Sequence, residues 1–213
     1  MDRLSKLLKR VMDVAGAAAA AAVAAPLMAI AAVAVWASMG RPLIFVQERT
    51  GKDGRTFRCL KFRTMLEAGK ETGAFSADGE RLTRTGALLR ATSIDELPQL
   101  WNVLRGDMSL VGPRPLLPGY LARYTAEQRR RHEVRPGITG WAQVNGRNGL
   151  TWEQKFKLDV WYVDNWSLWL DLKIIFMTVF KVVRREGVSQ RGHATMPEFM
   201  GTSGNEPAAA ART

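Results

Sequence analysis

The order of apolar and polar positions divides the chain into a few unlike stretches. The first is a charge-free run over residues 14–40, longer than the ~20 residues that cross a bilayer as a helix. Alanine dominates its first half, and Pro26 sits near its middle, where proline breaks or kinks a helix. Residues 42–47 are apolar and β-prone, 50–54 (TGKDG) supply turn chemistry, and 56–65 (TFRCLKFRTM) return. That sequence predicts a β-hairpin. Alternation puts Lys61 and Arg63 on one face of the returning strand and Leu60 and Phe62 on the other. Residues 67–85 have no clear period and are predicted as a loop, and 86–91 resume helical spacing. Proline is tolerated only in a helix's first turn, so Pro98 predicts a helix starting near Asp95, with Leu97, Leu100, Trp101 and Leu104 on one buried face. Residues 116–131 are predicted as a further helix.

Residues 158–183 are strongly apolar, carry Trp161, Tyr162, Trp166 and Trp169, and are interrupted by Asp159, Asp164, Asp171 and Lys173. They predict one or two amphipathic helices, either lying in a membrane interface or buried in a soluble core. From residue 201 the chain is Gly, Ser, Ala and Pro and is expected to be disordered. The elements predict an α+β protein, mostly helical, in three parts: 1–40, a basic N-terminus and membrane helix; 41–200, a folded domain; and 201–213, a tail.

Charge narrows the partners. A net charge of +11 and a pI near 10.4 call for an anion: nucleic acid, acidic lipid or a phosphorylated substrate. The single cysteine, Cys59, excludes a disulfide framework within the chain and a cysteine-based zinc site. His132 and His193 are far apart and lack metal-ligand spacing, so the metal left open is a hard ion held by carboxylates and phosphates. Arg3, Lys6, Lys9 and Arg10 precede the apolar run, and Arg41, Arg49, Lys52, Arg55 and Arg58 follow it. The positive-inside rule therefore names no outer end. A plain spanning helix and a helix that enters, bends at Pro26 and returns both stay open.

The densest chemistry lies in residues 93–115, SIDELPQLWNVLRGDMSLVGPRP. Asp95 and Glu96 stand at the expected helix start, and Arg114 sits between two prolines. An aspartate there is an ordinary helix cap, and it is also the ionised carboxylate that a metal ligand or a nucleophile requires. Lys61 and Arg63 can grip a pair of phosphates or merely blunt an edge strand. Residues 135–149 (RPGITGWAQVNGRNG) hold four glycines, Arg147, and amides at Gln143, Asn145 and Asn148. They read as a phosphate or nucleotide cradle or as a structural loop. Arg129, Arg130 and Arg131 read as a solvated face or one touching lipid headgroups.

Five blocks in order resemble the bacterial sugar transferases, the small monotopic phosphoglycosyl transferases. They are KRVMDV, FVQERTGKDGRTFRCLKFRTM, TSIDELPQLWNVLRGDMSLVGPRP, RPGITGWAQVNGRN and LDVWYVDNWSLWLDLKIIFMT. The resemblance covers residues 5–200. It implies transfer of a sugar 1-phosphate from a UDP-sugar to undecaprenyl phosphate with release of UMP. It further implies Asp95 as the nucleophile of a phosphosugar–aspartyl intermediate, Glu96 as its dyad partner, and Mg²⁺ beside Asp95 and the diphosphate.

Lys61, Arg63, Arg114 and Arg147 are the expected phosphate clamps. Arg90 is expected to orient the acidic pair or to pair with Asp171. The cap position is expected to keep Asp95 ionised. The short chain and its GHATMPEF segment look like the minimal members acting on acetamido sugars such as diacetylbacillosamine. The resemblance also implies a re-entrant helix kinked at Pro26 (preceded here by Ala25, where members carry Ser), and a catalytic domain on the cytoplasmic face of the bacterial inner membrane, against membrane lipids. Oligomeric state is left open, a homodimer included. A nucleic-acid binder is disfavoured, because the cations sit in separate Gly/Pro-rich blocks and no nucleic-acid motif accompanies them. The intact acidic pair argues against a non-catalytic scaffold.

Overall fold

The computed structural model describes residues 3–66, 81–146, 149–184 and 198–201. The alanine-rich N-terminal segment forms one helix, α1 (Arg3–Met39), with Pro26 inside it. Its burial is confined to two stretches. Lys9, Asp13 and Ala17 are buried at helical spacing near one end, and Ala31 and Val35 near the other. Val23, Leu27 and Ile30, between them, are exposed. Both ends therefore dock while the middle stands clear. Among the described residues α1 is the helix long and apolar enough to cross a membrane.

Polar contacts fix the first docked end. The buried Asp13 carboxylate accepts from Ser109 Oγ at 2.9 Å, the Leu110 N–H at 3.0 Å and Lys9 Nζ at 3.1 Å. Lys9 also pairs with Asp171 at 2.7 Å. Arg10 donates to the carbonyls of Val103 (2.7 Å) and Leu104 (2.9 Å), near the end of a helix that leaves its last carbonyls without internal donors. At the second docked end Arg63 donates to the carbonyls of Gly40 and Arg41, each at 3.1 Å, and to that of Met39.

The predicted hairpin is present as β1 (Ile44–Thr50) and β2 (Thr56–Phe62), antiparallel, with Phe45 opposite Lys61, Gln47 opposite Cys59 and Arg49 opposite Phe57. The expected loop over 67–85 lies outside the described residues for 67–80, and its last two residues open α2 (Arg84–Ala91). Gly86 lets α2 sit on the strand's continuation, since a Cβ there would lie 1.9 Å from the Thr64 carbonyl oxygen. Ser93 then adopts a left-handed conformation (φ 58°), and a 3-10 turn covers Ile94–Glu96.

The next helix, α3 (Gln99–Arg105), starts beyond Pro98 rather than near Asp95. The left-handed residue and the tight turn use up the segment that the proline rule assigned to helix. Leu100 is buried as expected, but Trp101 is 57% exposed. The buried Asn102 ties α3 to β2, donating to the Arg58 carbonyl (2.8 Å) and accepting from the Leu60 N–H (3.0 Å).

β3 (Ser109–Val111) pairs in parallel with β4 (Gly137–Thr139). Residues 116–131 do not form one helix. A 3-10 stretch over Pro118–Arg123 ends where Tyr124 and Thr125 are extended. Thr125 and Gln128 then form a capping box on α4 (Ala126–Arg129), and another 3-10 turn covers Arg130–His132. Nor is the arginine run one solvated face, because Arg131 is buried and pairs with Asp159 at 2.7 Å. α5 (Trp141–Val144) and α6 (Trp152–Asp164) follow, and Ser167 caps α7 (Leu168–Val183).

Tyr162 and Ile174, from α6 and α7, pack with Val111 in one core cluster, and Phe156 packs with Tyr120, Tyr124 and Phe199 in another. Trp169, Leu172, Phe176, Val179 and Phe180 remain exposed along one face of α7. Residues 202–213, most of the expected tail, lie outside the described residues.

Candidate active site

Asp95 and Glu96 are presented by the 3-10 turn between α2 and α3. Lys61, at the end of β2, places Nζ 2.7 Å from Glu96 Oε1, and Arg114, in the loop after β3, places Nη2 2.5 Å from the same oxygen. Glu96 is thus held from both sides. Burial alone would raise its carboxyl, but Arg114 and Lys61 outweigh that and hold it well below the usual carboxylate range. Arg114 is itself positioned from behind. Its carbonyl accepts from Arg131 Nη2 at 2.7 Å, and Arg131 is anchored on Asp159.

Asp95 differs from its neighbour. It is buried and accepts no hydrogen bond from any described residue, and no side-chain cap bond forms at its turn. Burial first, then the adjacent Glu96 charge, pushes its carboxyl up to about 6, against the pull of Lys61, Arg114 and Arg90. A cap does not account for this residue, and no cap keeps it ionised. Two adjacent carboxylates are pushed in opposite directions by their surroundings, a pattern common at reacting centres.

The other expected site residues divide. Arg90 lies within electrostatic reach of Asp95 and donates from Nε to Thr64 Oγ1 at 3.0 Å. It does not pair with Asp171. That carboxylate is taken by Lys9, by Tyr162 Oη at 2.7 Å and by Trp166 Nε1 at 3.2 Å. Arg63 is committed to the carbonyls at the end of α1, because strand alternation stops at Phe62, one residue before it. Arg147 and Asn148 lie outside the described residues. The Gln143 and Asn145 amide nitrogens donate to the nearby carbonyls of Ile138 and Trp141, while the buried Gln143 Oε1 has no partner among the described residues. An open cavity of about 560 Å³ lies at the hairpin turn, lined by Asp53, Gly54, Arg129 and His132 among others, and includes neither member of the acidic pair.

Among the described residues no group of three or more His, Cys, Asp or Glu side chains could hold a metal. Asp95 is the carboxylate that could serve as a protein ligand to a hard divalent ion, which would draw its remaining ligands from phosphate and water.

A family model described as bacterial sugar transferase matches residues 4–185. The chain belongs to the bacterial sugar transferase family. A relative from Bacillus subtilis strain 168, named an uncharacterized sugar transferase EpsL, is 52% identical over 196 residues, covering 92% of this chain and 97% of its own. The UDP-glucose:undecaprenyl-phosphate glucose-1-phosphate transferase of Caulobacter vibrioides is 47% identical over 183 residues, covering 81% of this chain and 68% of its own. The UDP-galactose-lipid carrier transferase of Erwinia amylovora is 42% identical over 200 residues, covering 86% of this chain but 42% of its own.

Within this bacterial sugar transferase, segments distant in sequence meet at one point: the hairpin through Lys61, the acidic turn, and the loop of Arg114. Sequence reasoning counted two further residues only as charges flanking the apolar run. Lys9 lies in the KRVMDV block, four residues before Asp13, a spacing that marks a helical ion pair. Arg49 lies in the FVQERTG block, on the same hairpin face as Lys61.

Proposed function

We propose that this bacterial sugar transferase moves a sugar 1-phosphate from a UDP-sugar to undecaprenyl phosphate, through a phosphosugar–aspartyl intermediate on Asp95. One observation carries the reading: a buried carboxylate with no hydrogen-bond partner among the described residues stands beside a second carboxylate locked by Lys61 and Arg114. An Asp95 Oδ attacks the β-phosphorus, and the bond from that phosphorus to the bridging oxygen breaks. UMP leaves with the oxygen and the electron pair. An oxygen of the lipid phosphate then attacks the same phosphorus, the Asp95–phosphorus bond breaks, and the carboxylate is restored. Neither step needs a redox partner.

Phosphoryl transfer of this kind depends on placement and on positive charge around the equatorial oxygens. Lys61 and Arg114 supply that charge and Glu96 fixes their heads in place. Bound Mg²⁺ would add charge neutralisation on the diphosphate, with Asp95 as its protein ligand.

The site belongs at a membrane surface on this reading. α1 docks by both ends and leaves its apolar middle clear, as a helix bent at Pro26 and inserted from one side would. The exposed apolar face of α7 suits the same interface, on the cytoplasmic side of the inner membrane. An acetamido sugar as substrate rests on the GHATMPEF likeness alone. The test is UMP release by the full chain with Mg²⁺, undecaprenyl phosphate and a panel of UDP-sugars. Wild type should turn over at least one of them and Asp95→Asn none. Turnover by Asp95→Asn at a comparable rate would sink the nucleophile assignment.

A further inference from the structure

Lys61 and Arg114 are both held by Glu96, and a third cation stands beside them. Arg49 lies on β1, on the hairpin face that also carries Gln47, Cys59 and Lys61. The next residue, Thr50, donates its N–H to the Leu116 carbonyl at 2.9 Å, which lays the end of β1 against the Arg114 loop. The Arg49 guanidinium is drawn back along the strand by Gln47, donating from Nη2 to Oε1 at 2.6 Å. Its head therefore points toward the Lys61 end of the face. Among the described residues it pairs with no carboxylate. Burial and then the Arg114 charge both lower its affinity for its proton. Two neighbouring guanidinium groups, of which only Arg114 is paired with a carboxylate, leave a place for an anion.

We propose that Arg49, steadied by Gln47, is a phosphate-binding residue of this active site and holds the phosphate of the departing nucleoside monophosphate. The shared chemistry is a phosphate ester, and two sources could supply it, the nucleotide or the lipid. The nucleotide is the assigned source because the Arg49 head is drawn toward Lys61 and the Arg114 loop, the cations beside the acidic pair that meets the donor diphosphate on this reading, and the two KM values separate it from the lipid.

The proposal rests on the transfer reaction above. Its test is UMP binding to the full chain in detergent by calorimetry, with KM values for the UDP-sugar and for undecaprenyl phosphate. Arg49→Gln should bind UMP at least tenfold more weakly and raise the UDP-sugar KM similarly, with the lipid KM unchanged. Arg49→Lys, which keeps the charge but not the planar fork, should fall between. The ligand-free melting temperature of Arg49→Gln should equal or exceed that of wild type, because a like-charge contact is relieved. UMP affinity within twofold of wild type, or a rise in the lipid KM alone, overturns the proposal. So does failure of Arg49→Gln to fold, since Arg49 would then hold the hairpin itself. Wild type that neither binds nor releases UMP removes the parent reading. Wild type that does both, matched by Arg49→Gln, removes only this assignment.

Discussion

Replacing Glu96 with glutamine separates its two effects on the site. Glu96 repels a negative charge on Asp95, and it anchors Lys61 and Arg114. Burial, the largest cause of the raised Asp95 carboxyl, is unchanged by an isosteric amide. Neighbouring carboxylates roughly 6 Å apart at an effective dielectric of ~20 repel by about 2–3 kcal/mol, or roughly 2 pH units. Asp95, near 6 in the wild type, should therefore fall by about 1–2 units toward its ordinary value of 3.8. On the proposed mechanism the ionised form is the nucleophile, so the rate should rise with pH through this value. The wild-type acid limb should be half-complete near pH 6, and that of Glu96→Gln at about 4–5.

The plateau should move the other way. With their anchor gone, Lys61 and Arg114 are no longer pre-placed, and about a 10- to 100-fold loss of plateau rate is expected, less than the roughly 100- to 1,000-fold cost of deleting a single oxyanion-hole donor because both charges remain. The assay is rapid-quench measurement of the UMP burst between pH 4.5 and 8, which reads the first step alone. An acid limb that stays in place or moves to higher pH would refute the coupling between the two carboxylates.

Asp13→Ala should destabilise the protein by about 3–5 kcal/mol, because the Leu110 N–H and the Ser109 hydroxyl lose their acceptor and buried Lys9 loses one of its two carboxylates. An unchanged melting temperature in detergent would contradict the role given to the Lys9–Asp13–Asp171 cluster. For the bent helix, single cysteines at Ser5 and Ser38 should both resist a membrane-impermeant maleimide in intact cells and react after permeabilisation. Native Cys59 is buried and gives little background, and labelling of either introduced thiol in intact cells would refute re-entry.

Local sequence carried much of this fold. The hairpin, the grouping of the acidic pair with Arg114 and the face assigned to Lys61 all follow from turn residues, spacing and alternation. What alternation could not report is where a strand stops. Arg63 continues the pattern on paper, but the strand ends at Phe62 and Arg63 turns back to α1. Long-range ion pairs are invisible for a different reason. Asp171 is neutralised by Lys9, from the opposite end of the chain, and Arg131 by Asp159 across two helices. No local pattern distinguishes either from a solvated charge. The helix expected over 116–131 failed because Thr125 and Gln128 form a capping box, which starts a new helix in mid-segment.

The grip of Arg63 on the end of α1 has a mechanical consequence. Arg63 lies two residues beyond Lys61, and its guanidinium clasps the three carbonyls where the apolar helix finishes. On the proposed topology, the level of that helix in lipid would set the level of Lys61, and with it the height of the Asp95 carboxylate above the bilayer. The helix would then act as a depth gauge, and thickening or thinning the lipid would raise or lower the proposed chemistry with it.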